Sequence, residues 1–164
     1  MKRRRLLQTA ALALCPASCG KKLSPPAPFA TLLELSVRLK AQETTPLLLV
    51  EHFLDRIGRF DRTGPRVNAI MELNPEAKAI AASCKAGLLH GLPVLIKDNI
   101  DTADAMHTTA GSLALRGHKP ARDAALVTRL REAGAIILGK TNLSEWANIR
   151  SPNSTSGWSA RGGL

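Results

Sequence analysis

The chain has 164 residues, 45% of them apolar and 3% aromatic, with no Tyr. That length holds one domain at most, or part of a larger one, with a core of Leu, Ile, Val and Ala; so few aromatic side chains offer few platforms for stacking bases. The net charge of +10 does not mark a nucleic-acid partner, because Lys2, Arg3, Arg4, Arg5, Lys21 and Lys22 all precede the first acid, Glu34, and the basic residues beyond it are scattered.

Residues 1–19 have the parts of an export signal. MKRRR is a charged start, and the apolar segment over 6–14 is too short to span a membrane as a mature helix. Arg3-Arg4-Arg5-Leu6-Leu7-Gln8 is similar to the twin-arginine export motif, an address read by a receptor. Pro16-Ala17-Ser18-Cys19-Gly20 resembles a bacterial lipoprotein cleavage site, which makes Cys19 the candidate for lipidation and membrane attachment. The expectation is an exported bacterial protein, periplasmic or envelope-attached. Residues 20–28 are a Pro-rich flexible tether and residues 29–164 the folded part. Cys15 and Cys19 belong to the leader, so Cys84 has no partner for an internal disulfide and is expected to be a small core hydrophobe.

Phe29, Leu32, Leu33, Leu35 and Leu39 recur at roughly helical spacing. Thr45-Pro46 starts a second helix, with Pro where its missing N–H costs little, and Leu47, Val50, Phe53, Leu54 and Ile57 form its apolar stripe. Residues 67–73 (VNAIMEL) read as a strand. Asn74-Pro75-Glu76 then starts a helix that runs to about Ala86 and ends at Gly87.

Residues 92–96 are an almost wholly apolar run, expected to be a buried central strand, with Lys97 at its far end. Alternation puts Leu92, Val94 and Ile96 on one face and Pro93, Leu95 and Lys97 on the other. Ligands of open α/β sheets sit beyond the carboxyl ends of strands, so Lys97 stands where chemistry is expected. Residues 99–116 read as irregular. Asp98, Asp101, Asp104 and His107 are spaced by three, which fits no calcium loop. His52, His90, His107 and His118 show no paired zinc spacing. They are taken as solvated loop residues, and no metal is expected.

Asp123 opens a helix with Ala124, Ala125, Leu126, Val127, Leu130 and Ala133 on its apolar side and Arg129, Arg131 and Glu132 exposed; Gly134 stops it. AIIL at 135–138 is a second buried strand, ending at Gly139-Lys140-Thr141. Strand, helix, strand predicts a parallel unit with a right-handed crossover. Asn142 or Thr141 caps a short helix through Leu143, Glu145 and Trp146. The Ser/Gly-rich end, 151–164, has no periodicity, and Ser151, Ser154, Ser156 and Ser159 read as loop hydroxyls.

GLPVLIKDNIDT at 91–102, TTAGSLAL at 108–115 and DAALVTRLREAGAIILGKTNLSEWAN at 123–148 together resemble the amidase signature family. SGWSARGG at 156–163 is similar to the segment that follows in its bacterial peptide-amidase-like branch. Three motifs in order are far more specific than any one of them. The resemblance implies an α/β chain, the N-terminal part of an α/β/α sandwich with a mixed central sheet that is incomplete within these residues. It implies hydrolysis of carboxylic or peptide amides by a Ser–Ser–Lys triad, with a small amide or peptide amide as substrate and no cofactor. Lys97 matches the catalytic lysine, which takes a proton from the bridging serine. That role needs a neutral amine, and the apolar neighbours Val94, Leu95 and Ile96 are expected to desolvate it. The family's GSSGGS-like and DTGGS-like stretches, which carry its two serines, do not occur here, and Ser154, Ser156 and Ser159 precede those positions. The expectation is therefore a truncated and inactive amidase domain from an early stop or frame shift. The alternatives are a non-catalytic envelope lipoprotein that keeps part of the fold and a fragment of the A-type polypeptide of an amidotransferase. The leader and the NLSEWAN and SGWSARGG stretches favour the peptide-amidase branch.

Overall fold

The structure is a computed structural model that describes residues 23–27, 29–84, 86–149, 152–153 and 156–164. The leader, with the twin-arginine-like motif, Cys15 and Cys19, lies outside the described residues, as do Lys85, Ser151 and Ser154.

Helix α1 (Leu32–Lys40) opens on a capping box: Thr31 Oγ1 accepts from Glu34 N, and the Glu34 carboxylate accepts from Thr31 N at 2.6 Å. These bonds hold the Glu34 carboxyl below its ordinary pKa. The described part of the tether is held against this helix. Arg38 donates to Pro25 O at 3.1 Å and to Ser24 O at 2.9 Å, and Pro26 is buried. Helix α2 (Pro46–Ile57) starts at Thr45-Pro46 as expected, with Thr45 Oγ1 accepting from Leu48 N. Gly58 does not end the helical path: one π-helical turn, Gly58–Arg62, continues it.

Strand β1 (Ile70–Leu73) is shorter than the apolar run suggests, and α3 (Ala77–Ala82) ends well before Gly87. Asn74 joins the two. Its Oδ1 accepts from Glu76 N at 2.9 Å, while its Nδ2 donates to Ile137 O at 2.8 Å. Strand β2 (Pro93–Lys97), helix α4 (Ala125–Glu132) and strand β3 (Ile136–Thr141) follow. β2 and β3 pair in parallel and β1 pairs antiparallel to β3, so the sheet is mixed, in the order β1-β3-β2.

The sheet divides the core. On one side Val50 of α2 and Ala77 and Ala81 of α3 pack on Ile136 and Leu138. On the other, Val127 of α4 meets Ile96, Ile137 and Met106. Leu35 and Leu39 join α1 to Leu49 and Leu92. This is the α/β/α layering that the family resemblance implies.

Among the described residues the central strand is β3, not β2. β3 is buried along almost its whole length, whereas β2 lies at the edge with Leu95 37% exposed. An apolar run cannot tell a central strand from an edge strand, because strand order is set by pairing. The outer edge of β2 and the half-covered sheet face beside it, where Phe53, Ile57, Phe60, Val67, Leu95 and Leu138 line a groove of about 370 Å3, are open among the described residues.

Candidate active site at the strand ends

The carboxyl ends of the parallel strands β2 and β3 lie together, with Ile96 opposite Lys140 and Lys97 opposite Thr141. The antiparallel partner brings Glu72 opposite Lys140. Two lysines therefore sit on neighbouring strands in opposite environments.

Lys97 is exposed. The expected apolar sleeve is not formed by its neighbours. Val94 and Ile96 point to the α4 side, and Leu95, which shares the Lys97 face, is itself 37% exposed. Strand alternation is the reason: residues adjacent in sequence cannot desolvate a side chain from the opposite face. Lys140, expected at a strand end, lies inside β3 and is fully buried. Its Nζ donates to Ile100 O at 2.6 Å and to Thr108 Oγ1 at 2.8 Å. Burial pushes its amine below the ordinary lysine value, against the pull of Asp98, Asp104, Asp101 and Glu72.

Of the residues taken as solvated, Asp101 and His118 are exposed, but Asp98, Asp104 and His107 are not free in solvent. Asp98 is fully buried, and its Oδ2 accepts from Thr109 Oγ1 and from Gly111 N at 3.3 Å. Its backbone carbonyl accepts from Thr109 N and Ala110 N. Asp104 is ion-paired to Arg131 at 2.6 Å, and Arg131 reaches Asp123 at 3.0 Å, so Arg131 is not exposed as its helix position suggests. His107 Nδ1 lies 2.9 Å from Glu72 Oε1. Helix position and spacing alone miss these pairs, because Asp104–Arg131 and Glu72–His107 join residues 27 and 35 positions apart.

Arg161 completes the cluster. Its guanidinium donates to Glu72 and lies 3.4 Å from Asp98 Oδ1. Burial alone would raise the Glu72 carboxyl, but the bonds and charges of Arg161 and His107 outweigh it and hold the carboxyl below its ordinary value. A carboxyl depressed on folding contributes stability that is complete above the unfolded pKa and is lost as pH falls through the folded one. Glu72→Gln is therefore expected to lower stability at neutral pH and to flatten its acid dependence below the ordinary value of 4.5, read from urea midpoints at stepped pH. An acid limb as steep as the parent's would remove Glu72 from this role.

The short helix after Asn142 is a left-handed turn. Trp146, Ala147 and Asn148 have φ of 53°, 52° and 63°. Each such residue costs roughly 1–2 kcal/mol, offset here by bonds from Trp146 N to Ala110 O at 2.9 Å and from Asn148 Nδ2 to Ser156 Oγ at 2.7 Å. Ser159 is fully buried, unlike the loop hydroxyl expected; its Oγ accepts from Gly162 N at 2.9 Å. Cys84 is half-buried against the α2–α3 core, and burial pushes its thiol up, away from a nucleophile's range. Among the described residues no group of three or more His, Cys, Asp or Glu side chains converges as metal ligands would.

A family model described as Amidase matches residues 48–157 of the chain. A probable amidase of Arabidopsis thaliana is 44% identical over a match 143 residues long that covers 81% of this chain and 27% of that one. The native peptide amidase from Stenotrophomonas maltophilia superposes with a TM-score of 0.77 at 50% identity, over 84% of this chain and 30% of that one. The A-type polypeptide of the glutamyl-tRNA(Gln) amidotransferase from Thermotoga maritima is less similar, with a TM-score of 0.61 and 30% identity over 76% of this chain and 25% of that one. The chain thus spans between a quarter and a third of these relatives.

Proposed function

Because the chain belongs to the amidase family, we propose that Lys97 is the lysine of a Ser–Ser–Lys centre that hydrolyses carboxylic or peptide amides. The observation that carries this reading is the place of Lys97: exposed at the carboxyl end of β2, among the strand ends where α/β sheets put their ligands. The greater likeness to a peptide amidase than to the amidotransferase favours transfer of the acyl group to water.

In this mechanism the neutral Lys97 amine takes a proton from a bridging serine, which takes one from the nucleophilic serine. The nucleophile bonds to the amide carbon, the amine leaves with a returned proton, and water releases the acid from the acyl-enzyme. Neighbours in sequence leave Lys97 exposed, so its desolvation would come from parts of a family member beyond the stretch matched here.

The 164-residue polypeptide contains neither serine-bearing stretch of the family. Made alone, it is expected to release no ammonia from a peptide amide, since loss of triad members removes most transition-state stabilisation. Turnover by the purified chain that Lys97→Ala abolishes would overturn this. The role of Lys97 is tested by grafting the chain into the matching part of the Stenotrophomonas maltophilia peptide amidase. Ammonia release is expected, with kcat falling at least about a thousandfold in Lys97→Ala; a graft that turns over equally well without Lys97 sinks the assignment.

Export through the twin-arginine-like leader, with attachment through a lipidated Cys19, extends the proposal to the periplasm or envelope. Labelled palmitate incorporated by the parent and not by Cys19→Ala would support it, and a cytoplasmic, unlabelled chain would defeat it.

A further inference from the structure

Arg161 comes from the far end of the chain, yet it touches three elements around Lys97. Its Nη2 donates to Glu72 on β1. Its Nη1 reaches Asp98 Oδ1 at 3.4 Å, on the residue that follows Lys97, and Thr109 Oγ1 at 3.3 Å. Its backbone N–H donates to Gly111 O at 2.9 Å. The side chain is 18% exposed and Asp98 is fully buried, so these charges meet where water screens them little.

The turn that carries Arg161 is closed on itself. Ser159 and Gly163 exchange backbone bonds at 3.1 and 2.8 Å. Asn68 Nδ2 donates to Gly162 O at 2.7 Å. The turn also sits hard against the loop after Lys97: a Cβ on Gly111 would lie 2.6 Å from Ser159 Cβ. A closed turn with its own bonds does not need a buried arginine between two carboxylates to stay closed. Apolar packing would hold such a turn at less desolvation cost, whereas directional ion pairs fix a register.

We propose that Arg161 is a positioning residue, which ties the turn at 159–163 to the strand end that carries Lys97 through Asp98, and to β1 through Glu72. It acts on Lys97 only through Asp98 and the backbone between them. The proposal rests on the amidase reading for its functional meaning, but the mechanical coupling stands or falls by itself.

The test is amide hydrogen exchange on the 164-residue chain, resolved by peptide. In Arg161→Gln, exchange over 97–111 and over 159–163 is expected to accelerate together by at least about tenfold, while α2 keeps its parent rate. Arg161→Lys keeps one charge–carboxylate contact and is expected to recover part of the protection in both segments. Arg161→Ala with millimolar guanidinium is expected to recover it where equal sodium chloride does not. Acceleration at 159–163 with 97–111 unchanged would overturn the proposal, as would a uniform loss of protection across the chain in all three variants. A grafted enzyme that is inactive although the exchange coupling is present would defeat the amidase reading and leave the coupling in place.

Discussion

Asp98→Ala is expected to cost about 3–5 kcal/mol, the range for removing one partner of a buried charge pair. Asp98 is fully buried, and its carboxylate accepts from Thr109 Oγ1, from Gly111 N and from Arg161 Nη1. Truncation takes one acceptor from all three donors and leaves a cavity that Ala does not fill, and among the described residues Arg161 keeps only Glu72 as a counter-charge. Domains of this size hold about 5–15 kcal/mol in total, so the variant would sit near its unfolding threshold at room temperature. Asp98→Asn keeps the shape and loses the charge, and is expected to lose less. Urea midpoints for the pair decide the matter: a loss below about 1 kcal/mol for Asp98→Ala would mean that the cluster rearranges around other partners.

Gly139→Val is the other large loss, about 3 kcal/mol, the upper part of the range for overpacking. Gly139 lies in the central strand, opposite Leu73 on one side and Leu95 on the other, and the register slips beside it on β2. A Cβ there would stand 2.5 Å from Glu72 O and 3.3 Å from Leu73 Cα. Both are backbone atoms that no rotamer change can move, so β1 must shift away from β3. Glu72 would shift with it, and the loss should extend to the Arg161 contact. Thermal unfolding followed by far-UV circular dichroism reads the effect, and a melting point equal to the parent's would show that the strands separate at no cost.

Local pattern was enough for several features. Thr45-Pro46 marks the start of α2 because cap chemistry acts within one turn. The apolar runs ending at Lys97 and near Lys140, with a helix between them, specify a parallel pair because that connection is too long for a hairpin and carries its own helix. The three motifs at 91–102, 108–115 and 123–148 carry the family, which is contained in residue identity and order.

The tertiary structure alone decided which lysine is buried. Lys97 and Lys140 both follow apolar runs, but among the described residues strand order puts Lys140 in the centre under Ile100 and Thr108 and Lys97 at the edge. The partners of Asp98, Glu72 and Arg161 were equally out of reach, because they lie 63 and 89 residues apart along the chain. Spacing describes one turn or one strand, whereas a buried ion pair is specified by the packing of segments that sequence distance does not relate.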